Sequence, residues 1–195
     1  MKVHIPRLLL GISASSSALS ILPELARLKG NVIGDIDCIM TPNAAGLLSP
    51  LLVGSVLSTP AYSSFAELAK DGRSFTSLTA TADALLVAPA TANTLIGLSL
   101  GLANNLLTSC VSAFDGPVGL LPAVNEGASA KPAFQRAIEI LRSDGFILPA
   151  EEAGAASDLQ GAALAGVSKF GLRRLIVVLS AQVRREQVEH STGGP

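Results

Sequence analysis

Short apolar runs alternate along this chain with segments whose apolar residues recur at helical spacing, and that alternation predicts a βαβ succession around a mostly parallel sheet. The first run gives a strand at Arg7–Ile12. The next segment gives a helix over Ser17–Lys29, with Leu19, Leu22, Leu25, Ala26 and Leu28 on its apolar side and Pro23 expected to bend it or delay its start. A strand follows at Asp35–Met40, then a Leu- and Val-rich helical stretch within Ala44–Leu57, broken at Pro50. Residues 58–82 are mixed, with one short helix at Phe65–Lys70 closed by the turn Asp71-Gly72. The apolar run Ala84–Ala88 reads as a strand, followed by helices over Asn93–Leu100 and Asn104–Ala113. Asp115-Gly116-Pro117 turns into a strand at Val118–Leu121. A helix over Pro132–Ser143 stops at Asp144-Gly145, and Phe146–Leu148 reads as a short strand. Residues 150–166 are Ala- and Gly-rich without a period and are expected to form a mobile loop or flap. Residues 168–188 return as a helix with Leu172, Leu175, Ile176, Val178 and Leu179 apolar. No repeat or linker interrupts the pattern, so one domain over residues 1–188 is expected, with the polar end 189–195 a disordered tail.

Composition narrows the class. In 195 residues, 49% are hydrophobic and 15% charged, which fits either buried subunit contacts or a well-filled α/β core. The net charge of −1 comes without a basic stripe, so nucleic-acid binding is not expected. The opening MKVHIPRLLLG is too short an apolar run for a membrane span or a secretory signal. Cys38 and Cys110 lie in apolar stretches and read as reduced, buried thiols of a cytoplasmic protein, and no Cys/His cluster has metal-ligand spacing.

Candidate chemistry sits at the strand-to-helix joints. Gly11-Ile12-Ser13-Ala14-Ser15-Ser16-Ser17 offers hydroxyls beside helix N–H groups, which suits a phosphate; the plainer alternative is a set of N-caps. Neither GxGxxG nor GxxxxGK[ST] is present. Pro89-Ala90-Thr91-Ala92-Asn93-Thr94 opens a second such cradle, for a phosphate or a polar aromatic ring, with ordinary capping again the alternative. Thr41, in Met40-Thr41-Pro42-Asn43, reads as a cofactor contact or a strand-end turn residue. Asp83 reads as a strand-start cap, and Glu151-Glu152 as solvated loop charges.

The string Pro89-Ala90-Thr91-Ala92-Asn93-Thr94 resembles the Pro-Ala-Ser-Ala-Asn-Thr motif of the homo-oligomeric flavin-containing cysteine decarboxylases. Ile12-Ser13-Ala14-Ser15, leading on to Leu28-Lys29, is similar to the phosphate-binding start of the lantibiotic peptide decarboxylases in that family. Leu102-Ala103-Asn104-Asn105-Leu106-Leu107-Thr108 follows in order. Pro122-Ala123-Val124-Asn125 then resembles the family's Pro-x-Met-Asn, with Val124 at the Met position and Ala128-Ser129 at the later Met-Trp pair. The resemblance spans residues 7 to 149 and implies a doubly wound, flavodoxin-like (Rossmann-like) single domain. It implies flavin mononucleotide (FMN) as cofactor, with flavin adenine dinucleotide (FAD) not separable at this point because both carry a phosphate.

By that resemblance Ser13, Ala14, Ser15 and Ser16 lie near the flavin phosphate, and Thr41, Pro89, Ala90, Thr91, Ala92 and Asn93 contact the cofactor. The resemblance assigns Asn125 to the substrate carboxylate as the catalytic residue, with a purely structural turn-capping amide the alternative. The implied reaction is oxidative decarboxylation of the C-terminal cysteine of a ribosomal precursor peptide to an enethiol that feeds an aminovinyl-cysteine ring. The implied assembly is a homotrimer or a dodecamer of trimers, with peptide-modifying enzymes as further partners, and Cys110 falls in a region near the trimer contact. One departure is large: the family's catalytic histidine, eight residues before Asp83, is Phe75 here, in the substrate region. His4 and His190 lie near the two ends and do not align with it. A phenyl ring cannot act as a base. A flavin-binding regulatory or scaffold subunit without decarboxylase activity therefore stays open, as does a phosphopantothenoylcysteine decarboxylase-like enzyme. The flavin prenyltransferase branch is disfavoured because its first-turn residues are missing.

Overall fold

The computed structural model describes residues 4–149 and 169–192. Its centre is a five-stranded parallel sheet in the order β3-β2-β1-β4-β5, built from β1 (Ile5–Ile12), β2 (Ile33–Met40), β3 (Ala61–Tyr62), β4 (Ala84–Ala90) and β5 (Val118–Pro122). β4 is buried at every position, as a central parallel strand covered on both faces should be, which is why its sequence is one unbroken apolar run. Side chains alternate between two cores. Leu8, Leu10, Cys38, Met40 and Leu86 face one layer of helices, and Leu9, Ile39, Leu85, Val87 and Leu120 face the other.

The first layer holds α1 (Ala18–Leu28), α3 (Pro50–Leu57) and α10 (Lys169–Thr192). The second holds α5 (Phe75–Thr81), α6 (Ala92–Ser99), α7 (Leu106–Ala113) and α9 (Pro132–Ser143). The shorter helices α2 (Pro42–Leu47), α4 (Phe65–Lys70) and α8 (Glu126–Ser129) cap the strand ends and connections. This is the doubly wound, flavodoxin-like fold expected, in its Rossmann-like strand order. The chain winds outward from β1 through β2 to β3, then returns to β4 on the other side of β1. The carboxyl ends of β1 and β4 therefore form the topological switch point, where crevices open in such sheets.

Local chemistry explains the helix ends. Pro42 and Pro50 open α2 and α3 in the first turn, where proline loses no bond, and the break predicted at Pro50 is present. α9 buries Phe134, Ala137, Ile138 and Leu141 at i, i+3, i+4 and i+7, and stops where Gly145 takes φ +89°. α10 buries Leu172, Leu175, Ile176, Leu179 and Val183. It can lie close on β5 because residue 119 is glycine: a Cβ there would stand 2.9 Å from Leu179 Cδ1 and 3.2 Å from Leu175 Cγ. Buried Glu24 of α1 accepts a 2.7 Å bond from Arg173 Nε, tying α10 to α1.

Several expectations are corrected. α1 carries Pro23 inside rather than starting after it, since Pro23 lies on the exposed side, and Leu19 and Val178 point to solvent instead of the core. β3 and α5 appear within the stretch read as mixed. Phe146–Leu148 makes a single bridge, Ile147 to Gly119, rather than a strand. Asp83 does close a strand end: its carboxylate accepts from Arg7 N at 2.7 Å, and its N–H donates to the Arg7 carbonyl at 2.8 Å. α10 runs on to Thr192, past the boundary expected at residue 188. The predicted 150–166 loop, with Glu151 and Glu152, lies outside the described residues. No helix among the described residues is long and apolar enough to cross a membrane.

Candidate functional site

At the switch point the amino ends of α2, α6 and α7 and the turn before α1 surround a cavity of about 630 Å³, within the range of small-ligand sites. Ala14, Thr41 and Asn43 form one side. Thr91, Asn93 and Thr94 come from the start of α6, and Asn104, Asn105 and Thr108 from the start of α7; Ile96, Leu100 and Leu102 supply an apolar lip. A cavity of about 730 Å³ also exists between α3 and α4, but it lies at the β3 edge of the sheet, away from the switch point.

The turn between β1 and α1 has the geometry an anion would need. Ala18 N bonds to Ser15 O at 3.1 Å, Leu19 N to Ser16 O at 3.0 Å, and Ser17 N to Ser15 Oγ at 3.2 Å. The preceding N–H groups, of Ala14, Ser15 and Ser16, have no protein acceptor among the described residues. Three successive free donors at a helix start, with the positive end of the helix dipole behind them, form a nest for an anion.

Ser13 behaves differently from the expectation that it meets a phosphate. It is 1% exposed; its N–H and hydroxyl both donate to the Pro89 carbonyl, at 3.1 and 2.7 Å, and its Oγ accepts from Thr91 N at 2.8 Å. Pro89 and Ala90 are buried in β4, and Ala92 packs toward the second core, so these three stand behind the cavity. Ala14, Thr41, Thr91 and Asn93 do line it, with Ser15 and Ser16 in the adjoining turn.

Thr41 is the strand-end cap, and it also faces the cavity. Its Oγ1 accepts from Ala44 N at 3.2 Å as the N-cap of α2, which leaves its hydroxyl proton for the cavity it lines. Asn43, Thr94, Asn104, Asn105 and Thr108 were not singled out as site residues from sequence. The last two form a capping box at α7, with Thr108 N on Asn105 Oδ1 at 3.1 Å and Asn105 N on Thr108 Oγ1 at 3.2 Å, and Asn104 Oδ1 accepts from Thr108 Oγ1 at 3.4 Å. An N-x-x-T box opening a helix after a glycine turn was the available signal.

Asn125 lies outside the cavity lining, beyond β5, whose end is held beside that of β4 by Ala123 N bonding to Ala90 O at 2.8 Å. Its Oδ1 accepts from Ala128 N at 2.8 Å as the cap of α8, so its exposed Nδ2 is the uncommitted end of the amide. Phe75 also lies outside the lining. It begins α5 and packs edge-on against Phe65, with ring centroids 5.8 Å apart. The loop before it is pinned by Arg73, which donates to Asp37 at 2.7 Å; that bond holds the guanidinium more firmly protonated.

Among the described residues, no ionisable side chain lines the cavity and no cluster suited to a metal exists. The site works with backbone dipoles, hydroxyls and amides. Both thiols are buried and unreactive. Burial pushes Cys110 up to about 12, and burial, with the nearby Asp37 charge, raises Cys38 further. This donor set fits FMN: a nest for the phosphate opens beside a neutral cavity lined with hydroxyls and amides that suit ribityl oxygens and ring heteroatoms.

Comparison with known proteins agrees. The Flavoprotein family model matches residues 2–169. The coenzyme A biosynthesis bifunctional protein CoaBC of Escherichia coli (strain K12) is 30% identical over 149 residues, 76% of this chain and 36% of that protein. CoaBC of Bacillus subtilis (strain 168) is 35% identical over 120 residues, 60% of this chain and 30% of that protein. The chain thus spans about a third of the length of these relatives. Among solved structures, the FMN-dependent cysteine decarboxylase SpaF superposes with a TM-score of 0.74 and 29% identity, covering 90% of this chain and 97% of that one. MrsD from Bacillus sp. HIL-Y85/54728 gives 0.74 and 27%, covering 91% and 96%. The peptidyl-cysteine decarboxylase EpiD, at 17% identity and a TM-score of 0.69 over 88% and 98% of the two chains, shares the fold.

Proposed function

The chain belongs to the Flavoprotein family, with FMN as its cofactor, and from that premise we propose that it oxidatively decarboxylates the C-terminal cysteine of a ribosomally made precursor peptide to an enethiol. The observation that carries the reading is the neutral switch-point cavity with the uncommitted N–H groups of Ala14, Ser15 and Ser16 at its edge. The cysteine substrate follows the likeness to the FMN-dependent cysteine decarboxylase SpaF, which extends over nearly the whole of both chains, and the peptide follows the motif resemblance of residues 12–15 and 89–94.

The N–H groups of Ala14, Ser15 and Ser16 would hold the FMN phosphate, and Thr41, Thr91 and Asn93 would face the rest of the cofactor. When bound, FMN supplies the two-electron oxidation of the cysteine side chain, which makes loss of the neighbouring carboxylate easy. Asn125 would donate from Nδ2 to that carboxylate, while its Oδ1 is held by the α8 cap and keeps the amide from flipping. Atoms balance as peptide cysteine losing carbon dioxide and two hydrogens, together the mass of formic acid. Phe75 contributes shape and not a proton. A homotrimer or higher assembly and a cytoplasmic location belong to this proposal as well.

The test is an anaerobic absorbance titration of the flavin-loaded protein with peptides ending in cysteine. Bleaching of the flavin band, with a product lighter by the mass of formic acid, is the expected result. A second substrate reading, 4′-phosphopantothenoylcysteine, is favoured by the identity to CoaBC and enters the same titration. A flavin that stays oxidised with cysteine peptides overturns the first reading, and the absence of carbon dioxide release from either substrate class overturns both and leaves a flavin-binding subunit without turnover.

A further inference from the structure

The ladder between β1 and β4 pairs Leu8–Gly11 with Ala84–Val87 and goes no further. Beyond it the two strands part. β1 leads into α1, which packs on one core through Ile21 and Leu25, and β4 leads into α6, which packs on the other through Leu95 and Leu98. Such a divergence opens the crevice but does not set its width. The group that bridges the gap is Ser13, through the three bonds it makes to Pro89 and Thr91.

The direction of these bonds matters. The Ser13 hydroxyl gives its proton to the Pro89 carbonyl and takes one from Thr91 N–H, so it has no proton left to offer an anion. Each end of the bridge touches the site. Ala14, the next residue, lines the cavity and begins the row of free N–H groups, and Thr91 lines the opposite wall. A third strand end is tied in the same way, Thr41 N bonding to Ile12 O at 2.9 Å.

We propose that Ser13 is a positioning residue for FMN: a buried clasp that fixes the separation between the Ala14–Ser16 donor row and the Thr91–Asn93 wall without touching the cofactor. The proposal rests on FMN as the cofactor and is independent of which cysteine substrate is turned over. With alanine at 13, Thr91 N–H loses its acceptor and the Pro89 carbonyl keeps only the longer backbone bond. The two walls are then free to separate while the ladder below them stays paired.

The experiment compares wild-type and Ser13→Ala protein by fluorescence titration with FMN, by the fine structure of the bound-flavin absorption band, and by amide hydrogen exchange. Ser13→Ala is expected to weaken FMN by on the order of 10- to 100-fold, from the loss of two buried bonds, and to blur the fine structure of the band. In wild-type apo-protein the Thr91 amide should exchange slowly. The amides of Ala14, Ser15 and Ser16 should exchange fast and become protected when FMN is added. Ser13→Ala protein that binds FMN as tightly as wild type with an unchanged band overturns the proposal. So does a wild-type Thr91 amide that exchanges as fast as that of Ser15, a result that needs no variant to fold. Wild-type protein that takes up no FMN overturns the cofactor assignment and this proposal with it.

Discussion

Removing the phosphate from the ligand tests the donor row with the protein untouched. Ala14, Ser15 and Ser16 present three N–H groups with no protein acceptor among the described residues. A hydrogen bond to a charged group contributes about 1.5 kcal/mol at the lower end of its range. Three such bonds amount to about 4.5 kcal/mol, and the dipole of α1 adds roughly 0.5 kcal/mol at a site this open to water. At 1.4 kcal/mol per decade, FMN should bind on the order of 10³-fold more tightly than riboflavin. The lower end is the right choice because Ser16 is exposed and water competes for its N–H. The assay is quenching of flavin fluorescence by apo-protein, titrated with each ligand in turn. A ratio below about tenfold would mean that at most one such bond forms, and would refute the assignment of this turn to the phosphate.

Asn125→Asp keeps the oxygen that caps α8 but replaces the Nδ2 donor with an acceptor. Turnover should fall at least about 100-fold, as expected when a substrate charge meets a like charge, with FMN affinity and thermal midpoint unchanged; steady-state kinetics beside a melting curve checks it. Gly119→Ala drives a methyl to 2.9 Å from Leu179 Cδ1 and should cost about 1–3 kcal/mol, read as a drop in the denaturant midpoint at constant slope. The thiols make stability fall with alkali. Both have folded values above the ordinary thiol value, so their contribution is complete below about pH 8.5, where the unfolded thiols begin to ionise. It is lost at up to about 1.4 kcal/mol per pH unit per thiol as the pH rises toward the folded value, about 12 for Cys110. Urea midpoints between neutral and alkaline pH, compared with those of Cys110→Ala, check the slope, which should be shallower in the variant.

Sequence pattern revealed the elements that bury a continuous face and missed those held by pairing or capping. β4 and the buried stripe of α9 could be read because each position carries its own burial signal. β3 could not, because two residues have no period; Ala61 and Tyr62 are strand only because Cys38 and Ile39 pair with them. α5 was hidden by three threonines with low helix propensity. The Ser74–Ser77 capping box and the burial of Leu78 and Thr79 outweigh that preference. At the site, the serine-rich turn was legible as a cradle, but hydroxyl spacing alone could not say which serine faces inward. Ser13 is turned toward Pro89 by a contact 76 residues away in sequence, and such a contact leaves no local trace. The same distance hid the convergence of Asn43 with Asn104 and Thr108 on one cavity.

The neutral lining of the cavity has an electrical consequence. The chain carries a formal charge of −1, and no described lining residue can offset what the cofactor brings. Loading adds about −1.5 to −2 from the phosphate. Occupied protein therefore migrates to a distinctly lower isoelectric point and elutes later from an anion exchanger than empty protein. Occupancy becomes a quantity that can be separated and weighed, and a preparation that looks pure by mass resolves into its loaded and unloaded fractions by charge alone.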